Sequence, residues 1–84
     1  MTKADFEARL DKAASGDLSA MRAITIMCYD LAKGGMEHGD IQGAQEFMTL
    51  GNGWKDISEG GFTDFGNELD QIKDVTRKMF NPCW

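Results

Sequence analysis

The chain reads as an all-α protein, a compact single-domain bundle of about four helices over roughly 3–14, 18–33, 40–59 and 64–80. Three observations predict this. Apolar residues recur at helical spacing in four stretches. Each stretch opens on a capping Thr or Asp and closes on Gly or Pro. No stretch shows the strict alternation of a half-buried strand. With 84 residues there is room for one hydrophobic core and not two.

Thr2 is placed to cap the first segment, with Asp5 three residues on as a weaker capping box. Phe6, Leu10 and Ala13 form its narrow apolar stripe, and Gly16 closes it. Asp17 caps the second segment. There Leu18, Met21, Ile24, Cys28 and Leu31 mark one broad face while Ile26 and Tyr29 point away, as suits a central helix. Gly34-Gly35 is expected to end it, which leaves residues 34–39 as the most flexible link. "GDLSA" at 16–20 and "GDIQGA" at 39–44 echo one another, and a shared Gly-Asp cap accounts for the echo.

The third segment begins after Asp40 and tests the glycine-rich run "LGNGWKDISEGGF" at 50–62. At about 100° per residue, Ile41, Ala44, Phe47, Met48, Leu50, Gly51, Trp54 and Ile57 fall on one half of the wheel. The run is therefore mostly helix, ended by Gly60-Gly61. Gly51 lies on the apolar half, where a missing side chain permits close approach of another helix. Gly53 lies on the polar half with no packing reason. The fourth segment, capped by Thr63 or Asp64, presents Phe65, Leu69, Ile72, Val75, Met79 and Phe80. Lys73, Arg77 and Lys78 sit toward its C-terminus, where cations suit the helix dipole, and Pro82 prevents continuation.

The net charge of −5 is concentrated in the middle of the chain. Residues 1–33 are neutral overall, 34–72 carry −7, and 73–84 carry +2. Such a field repels nucleic acid and phosphorylated ligands and attracts basic partners. Direct nucleic-acid binding is disfavoured, since Lys73, Arg77 and Lys78 are the sole basic cluster. The glycine run lacks the Walker pattern. His38 and the distant Cys28 and Cys83 are too few for structural zinc, although Glu37, His38 and Asp40 cluster in "MEHGD". Cys28 is expected to be buried, a poor place for a reactive thiolate. No metal, cofactor or catalytic residue is therefore expected. No apolar run is long enough for a membrane span, and the N-terminal stretch lacks a signal-peptide core, so a cytoplasmic protein is expected.

The reading that follows is a non-enzymatic, acidic protein-binding module. Its contact residues would be Glu37, Asp40, Glu46, Asp56, Glu59, Asp64, Glu68 and Asp70, with Trp54 and Trp84 as aromatic anchors. The acids would join into one patch if segments three and four are neighbours. Trp54 also suits the core, and the acids also suit a solvated face. Small size, concentrated acidity and the lack of a catalytic motif are similar to those of small phage or mobile-element inhibitors. Those of the anti-CRISPR or anti-restriction type dock on the basic, nucleic-acid-binding surface of a host complex. The alternatives are a homo-oligomeric (homodimeric) assembly or adaptor protein burying Ile26, Tyr29 and Trp84, and a small enzyme or metal protein around His38.

Overall fold

Helix α1 spans Lys3–Ala14, α2 Leu18–Glu37, α3 Ile41–Glu59 and α4 Gly66–Phe80, and a 3-10 turn over Asn81–Cys83 follows α4. This computed structural model describes the backbone of residues 2–60 and 66–83 and the side chains of 2–60 and 69–82. Among the described residues there is no strand. The all-α expectation holds, with a helix for each predicted segment.

The starts follow from local chemistry. The Thr2 hydroxyl accepts the Asp5 N–H at 3.2 Å while the Asp5 carboxylate accepts the Thr2 N–H at 3.4 Å. Asp17 accepts the N–H groups of Ser19 and Ala20, and Asp40 accepts that of Gly43. Each cap satisfies donors that the helix itself leaves unpaired. The glycine before each of the last two caps has a positive φ, +105° at Gly16 and +84° at Gly39. These left-handed turns suit a residue without Cβ. The echo between 16–20 and 39–44 is thus one Gly-Asp joint used twice.

Two boundaries differ from expectation. α2 does not stop at Gly34-Gly35 but continues to Glu37, so the expected flexible link shrinks to residues 38–40. Packing supplies the reason. A Cβ at Gly35 would stand 3.2 Å from the Asp40 carbonyl oxygen and 3.3 Å from the Ala44 Cβ. Gly35 is therefore a contact point inside the α2–α3 hairpin rather than a breaker. α3 ends at Glu59 with Gly60 as its cap, as expected. The predicted roles of Gly61, Thr63, Asp64 and Phe65 lie outside the described residues.

Each helix packs beside its neighbour in the chain, and α4 closes the ring against α1. Lys73 reaches Asp11 at 2.7 Å and Arg77 reaches Glu7 at 3.1 Å. As one number rises the other falls, so α1 and α4 run antiparallel. Contacts of α3 with α4 are antiparallel too: Phe47 meets Phe80, and Trp54 meets Thr76. The topology is up-down-up-down. The radius of gyration, 12.3 Å, is close to the roughly 12 Å expected of a compact chain this long.

Phe6, Leu10, Ala13, Met21, Ile24, Cys28, Leu50, Trp54, Leu69 and Phe80 form the core. Phe6 and Phe80 stack at 4.8 Å, and Phe47 meets Phe80 edge-on at 5.4 Å. Trp54 is fully buried and its indole N–H donates to the Thr76 hydroxyl at 2.8 Å. That hydroxyl donates in turn to the Ile72 carbonyl. Trp54 therefore offers no surface for a partner in this fold, which corrects its reading as an anchor. Thr76, a polar residue followed by Arg77 and Lys78, occupies a core position that apolar patterning alone misses. Leu18 and Val75, assigned to apolar faces, are largely exposed, as are Ile41 and Met48. The buried arc of α3 is rotated away from Ile41 and Met48 because the helix must face both α2 and α4.

Candidate functional site

A groove about 720 Å³ in volume lies between α3 and α4. Leu50, Gly53 and Ile57 line it from α3, and Ile72, Val75 and Met79 line it from α4. Each set follows i, i+3, i+7, the spacing of a helix seam. Leu50 also belongs to the core, and Ile57, Ile72 and Met79 pack partly against it, while Val75 is exposed. Glu46 and Asp56 stand on the α3 rim with Gln42, Gln45 and Thr49, and Gln71 stands on the α4 rim. Glu46 and Asp56 are exposed, and neither pairs with a cation among the described residues.

Gly53 now has a structural reason. A Cβ there would lie 3.1 Å from the Ile72 Cδ1, so the bare backbone lets Ile72 of α4 pack closely against α3. This supplies the packing reason that its place on the polar half did not. Gly51 does what its place on the apolar half implies. A Cβ there would lie 2.8 Å from the Tyr29 ring and 3.1 Å from the Cys28 Cβ. The Tyr29 hydroxyl donates to the Asn52 side chain at 2.5 Å, so the ring is held within the monomer rather than turned out as expected.

Among the described residues, the predicted contact acids do not share one surface. Glu46 and Asp56 come together on the groove. Glu37 and Asp40 lie at the α2–α3 turn, where the Asp40 carboxylate is occupied as a helix cap. Glu59, the last residue of α3, is exposed but does not line the groove. Asp70 shares its α4 flank with Lys73 and Arg77, three and seven residues on, and those two reach toward α1. Although α3 and α4 are neighbours, the joined patch is therefore divided by the helix faces. Asp64 and Trp84 lie outside the described residues, as does the side chain of Glu68. Sequence reasoning did not single out Leu50, Gly53, Ile57, Ile72, Val75 and Met79 as site residues; it placed all but Gly53 on apolar helix faces, and Leu50 is indeed a core residue as well. The available signal was the breadth of the α4 apolar face, wider than one neighbour needs.

Elsewhere the chemistry is quiet. Burial pushes the Cys28 thiol up to about 12, as its predicted position implies. The hydrogen bond from Lys73, reinforced by its charge, holds the Asp11 carboxyl below its ordinary value. His38 caps α2 through its backbone and is exposed. No group of three or more His, Cys, Asp or Glu among the described residues is arranged to hold a metal ion. Among them, too, no helix is long and apolar enough to cross a membrane.

Fold and site together define a small up-down-up-down helical bundle with an open, acid-rimmed groove. Comparison with protein-family models, with curated proteins and with solved structures finds no match to the chain.

Proposed function

We propose that the chain is a non-enzymatic, acidic protein-binding module whose contact surface includes the α3–α4 groove and whose partner is a protein with a basic surface. The observation that carries this is the pairing of an apolar floor with Glu46 and Asp56 on its rim. Contact surfaces commonly combine an apolar centre with a polar edge, and carboxylates at that edge favour cationic partners. The more specific form is a phage or mobile-element inhibitor that occupies the nucleic-acid-binding surface of a host complex. Its support is the small size and the −7 carried by residues 34–72. A homo-oligomeric role is the second reading, favoured by the exposure of Ile26, Met36, Ile41 and Met48. Light scattering across concentration tests it, and a strict monomer removes it.

The main reading is tested by affinity capture from the native host's lysate with three baits. The wild type and a Glu37→Lys control at the far turn should retain the same protein. The double variant Glu46→Lys/Asp56→Lys should retain at least about tenfold less, and rising salt should release it. Capture that ignores both the double variant and salt refutes the reading.

A further inference from the structure

We infer that the groove receives an amphipathic helix of the partner, its large apolar residues seated over Gly53 and its cations meeting Glu46 and Asp56. This rests on the binding-module reading above and specifies what enters the site.

Spacing argues for a helix. Leu50, Gly53 and Ile57 face Ile72, Val75 and Met79, and both triplets follow the i, i+3, i+7 pattern by which helices interlock. Two antiparallel helices presenting such seams side by side form the walls of a trough into which a third helix packs. Gly53 lies within this trough, where its bare backbone lets the Ile72 side chain of α4 pack directly against α3. From Gln42 to Asp56 the trough runs about 21 Å along α3, the length of a helix of roughly 15 residues.

Charge selects the guest. Glu46 and Asp56 are ten positions apart on α3, or about 15 Å along its axis. Lys or Arg flanking the guest's apolar stripe at matching separation would meet both. A second copy of this chain is the poorer occupant, because its net charge is −5 and the same two acids would face each other across a symmetric contact.

Three synthetic peptides of about 18 residues test this by fluorescence anisotropy and by amide chemical shifts of the labelled protein. The first places Leu at heptad positions with Lys on the flanks. The second has the same composition scrambled. The third replaces every Lys by Glu. The first should bind about tenfold or more tighter than either control, with shifts at Leu50, Gly53, Ile72 and Val75. Gly53→Leu, which puts a bulky side chain into the trough beside Ile72, should weaken it about tenfold. Val75→Lys, at a site already exposed, should do the same without relying on a buried change. Equal binding of the scrambled peptide overturns the helix-in-groove inference and leaves the acidic-module reading standing. Equal binding of the Glu peptide overturns both. Groove shifts that appear on raising protein concentration alone assign the trough to a second copy and overturn the inference.

Discussion

Gly51 and Gly53 lie two positions apart on α3 and should respond to the same substitution in opposite ways. At Gly51 an added Cβ presses on the Tyr29 ring and on the Cys28 Cβ beside the α2 backbone, and neither moves easily. Gly51→Ala should lower stability by about 1–3 kcal/mol, the usual range for overpacking. At Gly53 the added atom meets only the tip of Ile72, which can swing into the open groove. There the gain in helix propensity, about 0.5–1 kcal/mol, should prevail. Denaturant midpoints of the two variants check this, and Gly53→Ala falling below the wild type would refute it. The wheel could single out Gly51 because its neighbours were apolar. It could not explain Gly53, whose neighbour Ile72 arrives from another helix. Thr76 carries a related expectation. Thr76→Val preserves the shape but leaves the buried Trp54 N–H without its acceptor, and should cost about 1–3 kcal/mol. Urea melts of Thr76→Val measure it, and an unchanged midpoint would show that the bond contributes nothing.

Helix starts were legible because capping is local. Thr2, Asp17 and Asp40 each act within three residues of themselves, and a short window of sequence contains all the participants. The extra turn of α2 was not legible, because it depends on Ala44 fitting against Gly35. Nor were the ion pairs that tie α4 to α1, since Arg77 and Glu7 stand seventy residues apart. The dipole argument for Lys73 and Arg77 described their helix and missed their partners. The Lys73–Asp11 pair carries a pH signature. Asp11 ionises below its ordinary 3.8 when folded, so its contribution is present above about pH 4 and is lost as pH falls through the lowered value. Asp11 is exposed and the effect is correspondingly modest. Thermal melts from about pH 5 to about pH 3 should show a shallower acid loss for Asp11→Asn than for the wild type. Identical slopes would mean that the pair contributes nothing to folding.

At the scale of the molecule, the sequence shows an acidic middle but not its shape. A linear count places eight carboxylates in residues 34–72. Folding sends Glu37 and Asp40 to one end and Asp70 to the α1 side of α4, and keeps Glu46 and Asp56 together on the groove. That last pair lines an apolar groove, so there charge comes with a place for a partner to be buried. The four-helix arrangement was legible because amphipathic periodicity is strong. The groove was not, because an apolar residue that faces a core and one that faces an unfilled trough obey the same period. Val75 differs from Leu69 in its surroundings and not in its pattern.

The antiparallel pairing of α1 with α4 has one more implication. Glu7 lies beside Arg77 and Asp11 beside Lys73, so the first turn of α1 stands next to the last turn of α4. The helices form a closed circuit whose order around the core would be unaltered by the point at which the chain happens to start. A permuted chain joined across α4 and α1 and opened in the short exposed turn at His38–Gly39 would trace the same circuit with every neighbouring helix retained. It would also remove the chain connectivity that brings α2 and α3 together, leaving their side chains to find each other unaided.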